Sequence, residues 1–136
     1  MMTTKEVKQW LWRARGIDRE ITSLMKTVEN EYSRVTSIIS QLDATTVSGT
    51  KDPHKFDSLV ELEGSVRQRL KELEAVKKEI LDRINMLDDS RYRQVLKLYY
   101  VDGMSLEQTA VEMRYSFPHI KRLRFEAINA IKMILE

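Results

Sequence analysis

Apolar residues step along the first third of the chain in threes and fours: Val7, Trp10, Ala14, Ile17, Ile21, Leu24, Val28, Val35, Ile38 and Leu42. They occupy successive a and d heptad slots, broken at Glu31, where the neighbouring Tyr32 stands in. Such a seam predicts a helix packed lengthwise on a partner. Thr3 and Glu6 have capping-box spacing, with Met2 and Val7 placed as the staple, so the helix is expected over residues 4–42. The heptad phase runs unchanged across Gly16, which predicts at most a gentle kink there. Residues 43–55 hold Gly49, Pro53 and His54 among several Asp, Ser and Thr, and read as a solvated loop. The pattern resumes at Phe56 and continues through Leu59, Leu62, Val66, Leu70, Leu73, Val76, Ile80, Ile84 and Leu87, predicting a helix over 54–87. Two long helices joined this way fold back as an antiparallel, coiled-coil-like hairpin.

The period changes after residue 87. Asp88-Asp89-Ser90 interrupts it, and Ser90 can cap a helix over 91–100 that shows Tyr92, Val95, Leu96 and Tyr99 on one face. Gly103 suits a left-handed position beyond its end. Ser105-Leu106-Glu107-Gln108 is a second capping box, opening a helix over 106–113. Arg114-Tyr115-Ser116 is a short turn, and Ser116 can cap a last helix over 117–135. Pro118 is tolerated there because first-turn N–H groups lack helical partners. Ile120, Leu123, Ala127, Ile131 and Ile134 form that helix's buried stripe. A short helix, a tight turn and a longer helix have the dimensions of a helix-turn-helix. The expected fold is all-α, with a helical hairpin over 1–87 that self-associates and a three-helix helix-turn-helix domain over 88–136. Two apolar seams in one hairpin leave surface for a second copy, so a homodimer is expected.

Composition narrows the function. Four glycines and two prolines in 136 residues, with 32% charged residues, argue against an all-β fold. Cysteine is absent, which excludes disulfide scaffolds, thiol catalysis and Cys-based metal sites. The two histidines, His54 and His119, have no ligand spacing, so neither a metal nor a cofactor is expected. No apolar run is long enough to span a membrane, and the N-terminus lacks the apolar stretch of a signal peptide, which points to the cytoplasm. The sequence holds no nucleophile–base pair and no Gly-rich phosphate loop, so it does not read as an enzyme.

Net charge is only +2, but its placement is uneven. Arg114, Lys121, Arg122 and Arg124 fall in a window, 113–125, without an acid. On the last helix Phe117, Pro118, His119, Lys121, Arg122 and Arg124 face outward in its first half. Cations beside an aromatic suit phosphates, guanine edges and thymine methyls of double-stranded DNA. Lys121 and Arg122 are the expected main contacts, His119 and Phe117 the base-edge candidates, and Arg124 a phosphate contact. A second basic stretch, Lys5, Lys8, Arg13, Arg15 and Arg19, is returned by the hairpin toward residue 87, where Lys8, Arg13 and Arg15 can extend the basic surface.

Residues 96–116, from Leu96 through Gly103, Ser105, Ala110 and Met113 to Ser116, resemble region 4 of the bacterial sigma factors, and the likeness continues through Ile120, Leu123, Ala127 and Ile128. The arrangement of a helical hairpin before this module is similar to small phage regulators of the ArpU and RinA type. The resemblance implies that the helix starting at Phe117 enters the major groove. It also places Arg91 and the start of the Ser105 helix on phosphates, Arg114 in the turn, and RNA polymerase as a second partner. The chain departs from the family pattern in four places. Arg114 stands where the turn usually has Gly. Thr109 stands for an aliphatic, which weakens the core slightly. Phe117 and Pro118 replace polar readers, and Glu126 replaces a base. No segment for the −10 element is recognisable. Two other readings are a small, terminase-like DNA-packaging subunit, in which the DNA reader usually comes first, and a polymerase-binding module without DNA binding of its own.

Overall fold

The computed structural model describes residues 2–44 and 57–136 of the chain. The fold is all-α, and no strand occurs among the described residues. Helix α1, Thr4–Trp12, opens on the expected capping box: the Glu6 N–H donates to Thr3 Oγ1 and the Thr3 N–H donates to Glu6 Oε2, both at 3.2 Å. The single helix expected over 4–42 is in fact two. Helix α1 ends at Trp12, residues 13–16 form a turn, and the chain re-enters a helix at Ile17, the start of α2, Ile17–Ala44. Gly16 sits between them at φ +92°, a conformation that a Cβ disfavours and glycine reaches freely. Unbroken heptad phase records only which residues are apolar, not whether the backbone between them stays helical. The break changes the buried face of α1. Val7, Leu11 and Ala14 are buried, whereas Trp10 is half-buried.

Helix α2 runs two residues past its expected end. Residues 45–56 lie outside the described part, and with them His54 and the expected start of the next helix at 54. Helix α3 covers Asp57–Ile84. The chain divides into two units, one of residues 19–72 and one joining residues 1–18 to 73–136.

In the 19–72 unit α2 and α3 run antiparallel. Arg69 Nε donates to Glu20 Oε1 at 2.9 Å, Met25 and Val28 share a groove with Val66 and Leu70, and Arg34, Val35 and Ile38 border Ser58. Rising numbers on one helix meet falling numbers on the other, as a hairpin requires. Val35, Leu59 and Val66 are buried, but Ile21, Leu24, Val28, Ile38, Leu62 and Leu70 are only half-buried. Tyr32 does not fill the gap at Glu31: it is 59% exposed, and Glu31 instead pairs with Arg34 one turn on.

The other unit holds the larger core. Val7 and Leu11 of α1 and Ala14 just beyond it, with Ile80 and Ile84 from the end of α3 and Leu87 after it, share one cluster with the C-terminal helices. That core crosses the expected 87/88 boundary. Arg93 ties the two sides, its Nη1 donating to the carbonyls of Leu87 and Asp88. Helix α4, Ser90–Leu96, is capped by Asp89, one residue earlier than expected, because the Arg91 N–H donates to Asp89 Oδ1 at 2.8 Å. Its continuation, Lys97–Val101, is a π turn: the Asp102 N–H reaches back five residues to the Lys97 carbonyl at 2.9 Å. The wider turn rotates Tyr100 into the core, where it is 2% exposed, in place of the expected Tyr99. Gly103 follows at φ +73°. Helices α5, Leu106–Met113, and α6, Phe117–Leu135, complete the fold, with Ile120, Leu123, Ala127, Ile128 and Ile131 buried on α6. No helix among the described residues is long and apolar enough to cross a membrane.

Candidate nucleic-acid interface

Local chemistry sets the α5–turn–α6 corner. Ser105 Oγ accepts the Gln108 N–H at 3.1 Å, and Gln108 Oε1 accepts the Ser105 N–H at 3.0 Å, so the predicted capping box is complete. One turn in, Thr109 is fully buried, yet its hydroxyl donates to the Ser105 carbonyl at 2.8 Å. The core therefore accepts Thr109 with no unpaired polar atom. The helix ends at Arg114, which adopts the left-handed conformation, φ 61° and ψ 40°. The turn thus keeps the geometry that glycine normally supplies and holds it with an arginine. The Tyr115 N–H donates to the Ala110 carbonyl at 3.0 Å, closing α5. Ser116 caps α6 by accepting the His119 N–H at 3.3 Å, with Pro118 in the first turn.

The turn and caps present the first two turns of α6 to solvent. Pro118, Lys121 and Arg122 are exposed, and Phe117, His119 and Arg124 half-buried. The Lys121 ammonium lies 5.0 Å from the centroid of the Phe117 ring, and His119 packs on Tyr115 at 4.4 Å. Among the described residues no carboxylate lies within ion-pairing distance of Arg114, Lys121, Arg122 or Arg124. The helix N-terminus adds its own partial positive charge to this face. An anionic, partly apolar surface is its natural complement, and a duplex groove offers both.

The remaining predicted residues stand differently. Arg91 is exposed but occupied: its Nε and Nη2 donate to the two oxygens of Asp89 at 3.2 and 2.9 Å. The guanidinium and the Arg91 N–H together hold the Asp89 carboxyl below its ordinary pKa. A phosphate contact by Arg91 must therefore compete with Asp89. The Ser105 hydroxyl is committed to its cap. Arg124 lies two turns into α6; its guanidinium lies 5.0 Å from the Tyr99 ring centroid, and the residue lines a groove with α1. Glu126 is exposed, 3.4 Å from the Tyr92 hydroxyl that donates to it.

The basic stretch of α1 divides in two. Arg13 pairs with Glu79 at 3.5 Å. Arg15 Nη1 donates to the Tyr99 carbonyl and, at 2.9 Å, to that of Met104, and its guanidinium stacks over the Tyr99 and Trp12 rings. Arg15 is drawn into the packed region, contrary to its expected role in a wider basic surface, whereas Arg13 stays exposed with its charge matched by Glu79. Lys5 and Lys8 stay exposed, and they border Trp12 and Arg124. Sequence reasoning missed Trp12 as a surface residue; its one signal was that it falls off the heptad seam. No cluster of residues able to hold a metal ion occurs among the described residues.

Residues 89–133 match the family described as Sigma-70, region 4. The match spans α4, the π turn, α5 and nearly all of α6. The match, together with the α5–turn–α6 geometry, supports a region 4-like helix-turn-helix, a DNA-binding kind of module, over these residues. No curated protein and no solved structure matches the chain.

Proposed function

We propose that the protein is a sequence-specific regulator of transcription that binds double-stranded DNA, reading the major groove with the start of α6. One observation carries this reading: within the segment matching sigma-70 region 4, the solvent face of the second helix is basic, aromatic and free of acid partners. Lys121 and Arg122 make the main contacts, Phe117 and His119 meet base edges, and Arg114 and Arg124 hold phosphates. The hairpin-plus-module layout fits a phage-encoded regulator, and region 4 also makes RNA polymerase a second partner. Half-buried apolar residues along α2 and α3 favour a homodimer through the hairpin, which would carry two readers to a two-fold site.

The test is affinity for a duplex selected from a random pool, measured across a salt series. Lys121→Ala with Arg122→Ala removes most of the specific binding, with about 1–3 kcal/mol per base-reading side chain. Lys26→Ala with Lys71→Ala, exposed on the hairpin, changes little. Equal losses from both pairs, or no salt-dependent duplex binding at all, refute the reading. For the dimer, light scattering at tens of micromolar should give twice the chain mass of 16.0 kDa; a mass of one chain removes that part of the proposal.

A further inference from the structure

A groove between α1 and α6 is lined by Lys5, Lys8, Gln9, Trp12, Tyr100 and Arg124. We propose that it is a second duplex contact, which grips the phosphodiester backbone flanking the bases read by α6. The inference rests on the reading of α6 given above, and it adds a helix that lies outside the matched segment 89–133.

Three observations carry it. The first is charge. Lys5, Lys8 and Arg124 converge on one groove, and among the described residues none has a carboxylate in ion-pairing range. Their neighbours Arg13 and Arg15 are engaged elsewhere, and Glu6 on the same helix is committed to the capping box of Thr3. The groove is therefore a concentration of unmatched positive charge in a chain whose net charge is only +2. The second is Trp12, which is 55% exposed yet held in place. Arg15 stacks 5.3 Å from its ring centroid, and Tyr100 meets it edge-on at 6.5 Å. A fixed, water-exposed indole beside cations offers an apolar face to deoxyribose and an N–H donor to a phosphate oxygen. The third is continuity. Phe117, Lys121 and Arg124 recur at steps of four and three along one face of α6, so Arg124 continues the stripe that begins on the reading turn. Lys121 and Arg124 are about 4.5 Å apart along the helix axis. A strand whose phosphate meets Lys121 is carried toward the groove. An acidic protein segment would satisfy the charge as well, but it has no reason to share a stripe with the base-reading residues.

The experiment uses the full chain and the selected duplex. Lys5→Gln with Lys8→Gln changes only exposed side chains. Each phosphate left without its cation lowers the slope of log affinity against log salt by about 0.9. The double variant should therefore lose about 2 from that slope for each bound chain, keep the same sequence preference, and show about a tenfold smaller affinity drop per chain between about 50 and about 200 mM salt. Shortening the flanks of the duplex should cost the wild type clearly more affinity than it costs the variant. In a Trp10→Phe background Trp12 is the sole indole, and its emission should change when duplex is added. An unaltered salt slope in the Lys5/Lys8 variant, or silent Trp12 emission, overturns the inference, as does a Lys5/Lys8-dependent complex with an acidic protein alongside unchanged DNA binding. If Lys121→Ala with Arg122→Ala still abolishes specific binding in those cases, the reading of α6 stands alone. If no duplex binds the wild type, both fall together.

Discussion

Single residues hold this corner of the fold by conformation as much as by contact. Arg114 is the clearest case. A left-handed residue other than glycine costs about 1–2 kcal/mol, and glycine would relieve that strain while adding about 0.5–1 kcal/mol of unfolded-state entropy. Arg114→Gly should therefore raise stability by up to about 1 kcal/mol in urea unfolding. If Arg114 also holds a phosphate, the same change lowers duplex affinity. A variant that is more stable and binds more weakly identifies a residue kept for function at the expense of the fold. A variant that loses stability shows that Arg114 makes folded-state interactions outweighing its strain. Thr109 teaches the opposite lesson. The residue type looks like a defect at a fully buried position, but its hydroxyl donates to a carbonyl one turn back, so the defect is absorbed locally.

Elements are bounded here by backbone events that periodicity does not register. Gly16 closes the turn between α1 and α2 at a positive φ, and apart from its chain neighbours no atom lies within 4 Å of where its Cβ would stand. Its requirement is conformational rather than steric. Gly16→Ala should cost about 1 kcal/mol, the strain of the left-handed region less the entropy gained in the unfolded chain. The midpoint of thermal unfolding reports the cost. Far-UV circular dichroism should show unchanged helix content, because the packed face of α1 holds the break open. A rise in helicity would mean that α1 and α2 had fused and that packing did not hold them apart. The π turn at Lys97–Val101 is a second such event. It carries Tyr100 inward and leaves Tyr99 as a platform for Arg15 and Arg124.

At the scale of the molecule, the region 4-like module shares its core with segments that lie outside it in the chain. Its core includes Val7, Leu11, Ala14, Ile80, Ile84 and Leu87, all from outside the matched segment. Leu11 is fully buried there. Leu11→Ala should cost about 2–5 kcal/mol, through reduced burial and the cavity left behind. Since small domains are stable by only about 5–15 kcal/mol, such a loss should visibly lower the melting temperature. Duplex affinity should fall in the same temperature range, as the module and α1 unfold together. Affinity that outlasts the melting of α1 would show that the module stands without it.

Period and caps were enough to read the all-α class, the antiparallel hairpin, both helices of the helix-turn-helix corner and the basic face of α6. Those features are local: a capping box lies within four residues, a buried stripe repeats every three or four, and an acid-free window is a matter of composition. The exposure of Lys121 and Arg122 and the Ser105 cap follow from such short-range rules. The break at Gly16 did not, because a heptad count tracks side-chain type and is blind to φ. Nor did the choice of Tyr100 over Tyr99, which depends on one extra residue in a turn. The fates of Arg13 and Arg15 were also beyond local rules, since their partners, Glu79, Tyr99 and Met104, are distant in sequence and meet them only when the core closes. Local chemistry specified which residues are cationic and which are helical, while packing selected which cations find a partner and which, like Lys5 and Lys8, are left facing water without an ion pair.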